Sequence, residues 1–198
     1  MTITAIDICA RGLVMIGAAP ITSFTDGTTE ATVSANLYEG VVLDHLSRYR
    51  WRFATGIEQL NRLTDEPAAR WASAYQIPSV CLQPLTVIVN DNPIDFDRYE
   101  DRLFCDATES DEVFLEGVYR IDESRWPAWF SMLIQIQMAS HFALSLAGKG
   151  DLADLLDKKA LRHASICRNL DSQARTARDM PTKGFIAGRM GRPHVGGR

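Results

Sequence analysis

Apolar residues recur at close to helical spacing from the first positions of the chain: Ile3, Ile6, Ala10, Leu13, Val14 and Gly17. This predicts a helix over 3–17. Gly17 and Pro20 end it, because glycine takes up the left-handed turn and proline cannot continue the helical hydrogen-bond ladder. The stretch "TSFTDGTTE" then supplies turn and cap residues, with acids near the start of the next helix. That helix is predicted to run to about Tyr49, with Ala31, Ala35, Tyr38, Val42 and Tyr49 on one stripe. Gly40 lies inside it and costs on the order of 1 kcal/mol relative to alanine.

The pattern changes after Phe53. "CLQPLTVIVNDNPIDF" holds a β-branched run from Leu85 to Val89, followed by Asn-Asp-Asn-Pro as a turn. "RLFCDA" and "EVFLEGVYRI" are further short strands by the same pattern. Residues 55–123 are therefore expected to form an insertion of loops and a small antiparallel sheet between two helical segments, 1–54 and 124–176.

From Trp126 to Ala147 there are twenty-two positions without an Asp, Glu, Lys or Arg. Gln135, Gln137, His141 and three serines would be costly in hydrocarbon, so the segment is predicted to be a buried central helix and not a membrane span. Gly148 and Gly150 break the chain. A last amphipathic helix follows, 151 to about 176, with Leu152, Leu156, Ala160, His163, Cys167, Leu170 and Ala174 on one face and Asp154 paired to Lys158. The expected fold is mainly α: a bundle of about four helices with an inserted small antiparallel sheet. Residues 1–176 are expected to make one domain and 177–198 an extended, flexible basic arm.

Composition sharpens this only in part. The opening "MTITAIDICARGLVMIG" lacks a basic segment, and Asp7 and Arg11 interrupt it, so it does not read as a signal peptide. Four dispersed cysteines (Cys9, Cys81, Cys105, Cys167) fit reduced, buried thiols better than a disulfide framework or zinc site. Charge is distributed unevenly. Residues 1–54 carry four basic and five acidic side chains, 55–123 five and fifteen, and 124–198 twelve and five. An acidic middle and a basic end suit a subunit whose surfaces meet different neighbours.

The usual catalytic signatures are missing: no G-x-S-x-G, no H-E-x-x-H, no phosphate-binding loop. The acids of the insertion, among them Asp95, Asp97, Glu100 and Asp101, are a candidate carboxylate set for a wall-degrading hydrolase. Cys81, just past Trp71 and Tyr75, is a weaker candidate nucleophile. His163 with Cys167 at i+4 is too small a set to indicate a metal. The tail "PTKGFIAGRMGRPHVGGR" has four basic residues and no acid, with Phe185 and His194 as its stacking side chains, so a nucleic-acid-binding role through the tail is the other alternative.

The order of anchors carries a resemblance. A helix ends at Ile16-Gly17, then come Ile21-Thr22-Ser23, Asp26, Ala31, Tyr38, Leu46 and Trp51-Arg52-Phe53-Ala54. Trp71, Ala74-Tyr75-Gln76, Pro78 and Cys81 follow, and after the insertion "YRIDESRWPAWFSMLIQIQMASHFALSLA". This resembles the tail tubular protein A family, the head-to-tail adaptors of short-tailed bacteriophages, over roughly 5–175. The resemblance implies a structural virion protein, not an enzyme, made in the host cytoplasm and placed in the tail at the head–tail junction. Such a protein forms a homo-oligomeric ring, expected to be a dodecamer, between the portal protein and the tail nozzle protein. Tail fibres are possible further partners, and DNA passes through the channel without specific binding. No cofactor, metal or catalytic residue is implied. Gly17, Tyr38, Trp51, Phe53, Trp71, Tyr75 and Pro78 are expected to be packing anchors. Phe185, Ile186, Arg189 and Arg192 are a candidate portal-contact arm.

Overall fold

The hydroxyl of Thr4 accepts the Asp7 amide at 3.2 Å while the Asp7 carboxylate accepts the Thr4 amide at 3.0 Å, a reciprocal cap that starts the first helix. The computed structural model describes residues 3–64, 67 and 70–174. Among the described residues there are four α-helices: α1 (Ala5–Met15), α2 (Thr29–Ser47), α3 (Ala128–Ser145) and α4 (Gly150–Gln173). Gly17 follows α1 at φ +80°, and Gly148 precedes α4 at φ +60°. These are the turns their glycines were expected to make. Thr28 caps α2 by accepting the Ala31 amide, and in the preceding turn the Asp26 carboxylate accepts the amides of Thr22 and Ser23.

Helix α3 is the centre of the helical unit. Phe130, Leu133, Ile134, Met138, Ala139, Phe142 and Ala143 are all fully buried, between α1 and α2 on one side and α4 on the other. Gly12 sits where α1 crosses α3, and a β-carbon there would lie 3.3 Å from the Gln135 carbonyl oxygen and from the Phe142 ring. Two polar side chains of α3 are used inside the bundle: Ser140 donates to the Ala153 carbonyl at 2.9 Å and Gln137 to Asp157 at 3.2 Å. Among the described residues no helix is long and apolar enough to cross a membrane.

The two amphipathic stripes differ in detail from the expectation. On α2 the buried side chains are Ala31, Ser34, Tyr38, Val41, Val42, His45 and Leu46, while Ala35 is exposed and Tyr49 lies beyond the helix. On α4 they are Ala153, Leu156, Ala160, Cys167 and Asp171. Leu170 and Ala174 are exposed, and Asp154 makes no ion pair with Lys158.

The fold class differs more. Of the described residues 46% are helical and 22% are in strands, with seven strands in two antiparallel sheets. It is a mixed α/β protein, not a helical bundle carrying a small sheet. The first sheet has the order β1 (Thr55–Gln59), β7 (Val113–Tyr119), β3 (Cys81–Val89), β4 (Asn92–Ile94). The second has the order β2 (Ser73–Gln76), β6 (Arg102–Cys105), β5 (Phe96–Tyr99). Strands β1, β2, β4 and β5 are three to five residues long, too short for alternation to reveal them in sequence. They become strands because long-range partners supply the ladder, as Thr55–Gln59 finds Phe114–Val118. Asn90 and Asp91, both at positive φ, make the β3–β4 turn.

The sheets pack through Tyr75, Leu103 and Cys105 of the second against Val87, Val89, Val113 and Leu115 of the first. Val118, at the other end of β7, belongs to the helical core instead. The first sheet thus connects the helices to the second sheet.

Candidate functional site

The residues that carried the resemblance have divided roles. Trp51 is buried beneath the helices, where its indole N–H donates to the His45 carbonyl at 2.8 Å. Its ring lies 5.2 Å from Phe130 and 5.7 Å from Trp129, and Phe53 lies 4.8 Å from Phe130. Arg52–Ala54 forms a single 3-10 turn whose start is held by Asp171 of α4, both carboxylate oxygens lying 3.2 Å from the Arg52 amide. Burial raises the Asp171 carboxyl above its ordinary value, and the Arg52 and Phe53 amides only partly offset that. This aromatic seat fixes the path from α2 into β1.

Tyr38 holds the other connection. Its hydroxyl donates to Glu123 at 2.9 Å, and Arg120 donates to Glu123 at 2.6 Å and to Glu39 at 2.9 Å. The Arg120 guanidinium also lies 5.5 Å from the Trp126 ring centroid. Burial acts to raise the Glu123 carboxyl, but the bonds and charge of Arg120 outweigh it and hold the group below the usual range. This network ties α2 to the return from β7 into α3. Sequence reasoning found Tyr38 but missed Arg120, Glu123 and Asp171. For Asp171 a signal existed: an acid four residues after Cys167 on an otherwise apolar stripe.

The remaining anchors behave differently. Tyr75 is buried between the sheets. Pro78 is half-buried. Gly17 is exposed and touches nothing a side chain would meet, so it acts through its positive φ and is not a packing anchor.

Trp71 is not a buried packing residue either. It is half-buried on the outer face of the second sheet, with its indole N–H donating to Asp97 at 3.0 Å and Arg70 stacked 5.2 Å from its ring. Asp97 pairs across the ladder with Phe104, so the two side chains share that face. Tyr99 follows on it, 56% exposed and in edge contact with Phe104 at 5.5 Å. Three aromatic rings therefore surround one carboxylate on a surface that no other described residue covers. Beside it lies an open groove of 460 Å³ lined by Trp71, Leu85, Ile94 and Asp97. A second depression, 690 Å³, sits at the connection of helices and sheets, where Arg50 is already paired with Glu116.

Helix α4 presents the second outward face. Leu155, Lys159, Arg162, Ile166 and Leu170 follow one another at i, i+4, i+7, i+11 and i+15, and all are exposed. Leu155 is 64%, Ile166 53% and Leu170 40% exposed. Neither Lys159 nor Arg162 forms an ion pair among the described residues.

The chemical candidates are placed as follows. Asp97 is engaged by Trp71 and Arg70. Asp101 accepts from the Gln76 amide at 3.0 Å, which holds its carboxyl low. Asp95 and Glu100 are exposed. Cys81 is buried, and burial raises its thiol, which disfavours the thiolate a nucleophile requires. His163 Nε2 lies 3.0 Å from the Trp129 carbonyl oxygen, to which Cys167 also donates at 3.4 Å, so both serve helix packing. Among the described residues no group of three His, Cys, Asp or Glu is placed to hold a metal. Phe185, Ile186, Arg189, Arg192 and the rest of the 177–198 arm lie outside the described residues.

Neither a comparison with protein-family models nor one with curated proteins finds a match for this chain.

Proposed function

We propose that this chain is a structural subunit of a short-tailed bacteriophage particle, an adaptor that assembles as a ring between portal and tail nozzle and surrounds a channel for DNA. The sequence resemblance to tail tubular protein A is the origin of this reading. The observation that supports it most is how the anchors Tyr38, Trp51 and Phe53 are used. They lock the sheet pair to the helices through an aromatic seat and the Tyr38–Glu123–Arg120 network.

A subunit built this way transmits position. Its helices and sheets are tied at two places, and it has two outward faces of different chemistry, an aromatic–acidic one on the second sheet and an aliphatic–basic one on α4. Dissimilar faces are what a ring requires, because each subunit must offer one patch and accept another.

Electron cryo-microscopy of the virion encoding this chain tests the proposal. The expected result is a closed ring of density between portal and nozzle that fits four helices and two stacked sheets. A virion that lacks the chain overturns it.

A further inference from the structure

Among the described residues two surfaces of this protein are unpartnered, one aliphatic and basic, the other aromatic with more carboxylates than its one cation at Trp71, Arg70, can match. On α4, three aliphatic side chains flank two consecutive cations, Lys159 and Arg162, along a stripe that contains no acid. On the second sheet, Trp71, Tyr99 and Phe104 surround Asp97, with Glu100 and Asp101 at the adjoining β5–β6 turn. Within one chain they do not meet: α4 packs on α3 and on the 52–54 turn, and the second sheet packs on the first.

We propose that the α4 stripe of one copy docks on the outer face of the second sheet of another copy, and that this contact is the repeating interface of the assembly. The inference rests on the ring reading above and adds to it which faces meet. Leu155, Ile166 and Leu170 cover the rings, and Lys159 and Arg162 reach the carboxylates and the faces of the aromatic side chains. Cations over aromatic rings and aliphatics against tryptophan and tyrosine are the contacts that concentrate binding energy at protein interfaces.

Pairing of α4 with itself is opposed by charge, since two stripes would bring Lys159 and Arg162 against their own copies. On the sheet face Asp97 already has Arg70 beside it, and the exposed carboxylates of Glu100 and Asp101 at the adjoining turn are the ones open to the cations of α4. The contact is therefore heterologous, and because the two faces lie on different parts of one chain, each copy can use both at once. Repetition then generates a ring if the rotation closes and a filament if it does not.

Sedimentation velocity of the full chain tests this with two variants. One is Lys159→Glu with Arg162→Glu, which spoils the helix face. The other is Trp71→Ala with Tyr99→Ala, which spoils the sheet face; Tyr99→Lys alone serves if that double variant fails to fold by circular dichroism. At ~1 mM subunit, where even a weak contact is populated, the wild type is expected to form species larger than dimers. Each variant alone is expected to associate at least about tenfold more weakly, since each loses central or charged contacts.

The equimolar mixture is the decisive sample. One intact helix face meets one intact sheet face, so a one-to-one dimer forms and grows no further. Variants that associate like the wild type, or a mixture that stays monomeric beside an oligomeric wild type, overturn this pairing of faces and leave the ring reading standing. A wild-type chain that stays monomeric at that concentration overturns the proposed contact and counts against the ring reading as well.

Discussion

The hydroxyl of Tyr38 donates to the carboxylate of Glu123 at 2.9 Å across 85 positions of sequence. One oxygen of Glu123 also receives Arg120, whose guanidinium continues to Glu39 on the same helix as Tyr38. Four side chains from α2 and the β7–α3 connection thereby close one partly buried network. Arg120 and Glu123 are only 19% and 16% exposed, so solvent screens this pair weakly.

Tyr38→Phe removes one donor to that carboxylate and is expected to destabilise the chain by about 1.5–3 kcal/mol, the range for hydrogen bonds to charged groups. The effects of Tyr38→Phe and Glu123→Gln should add to less than their sum, because the first removes the donor of a bond that the second weakens by taking the charge from its acceptor. Urea midpoints of the two single variants and the double variant measure this; strict additivity would show that the groups are uncoupled.

Acid should reveal Glu123. Its carboxyl is held below its ordinary value of 4.5, so its contribution is complete above that pH and is lost as pH falls through the lower folded-state value. Glu123→Gln is expected to flatten the fall in stability below about pH 4.5, read from unfolding midpoints across the acid range. An unchanged acid limb would assign the loss to other carboxylates.

Asp171 carries the opposite sign. Burial raises its carboxyl above 3.8, so its contribution is present below that pH and declines as pH rises through the raised value. The stability difference between wild type and Asp171→Asn should therefore shift in favour of the variant as pH rises through this window. A difference that is constant with pH would show that the aspartate does not titrate there.

Trp51 and Trp71 should separate sharply. Trp51→Ala leaves a cavity in the aromatic seat and is expected to cost about 3–5 kcal/mol. Trp71 is half-buried on an outer face, and its replacement is expected to cost about 1 kcal/mol in the isolated subunit. Thermal or chemical unfolding of both variants decides this, and equal losses would place Trp71 in the core after all.

Gly117 is required by space. A β-carbon there would stand 3.0 Å from both the Cys81 sulfur and the Gln83 carbonyl oxygen, where β7 passes a bulge in β3. Gly117→Ala is expected to destabilise by about 1–3 kcal/mol through overpacking. A neutral result would mean that the bulge yields without cost.

The helices were legible in the sequence because their signals are local. Thr4 and Thr28 cap, Gly17 and Gly148 turn, and apolar residues repeat with the helical period, so α1, α3 and α4 lie within a few residues of where the pattern put them. The sequence alone also located β3, β6 and β7, whose β-branched and aromatic runs mark them, and showed the acidic middle and basic end of the chain. Only the tertiary structure decided that four further short segments are strands and that the strands form two sheets, since a short segment that its residue types do not mark is defined as a strand by its partner. It also decided which tryptophan is core. Trp51 and Trp71 sit in similar aromatic company along the chain, and burial depends on what packs over each ring: α3 closes over Trp51, while Trp71 faces outward beside Asp97. The Leu155–Leu170 stripe was hidden for the same reason. Helical periodicity marks every apolar face alike, and only the position of α3 determines which one α4 buries.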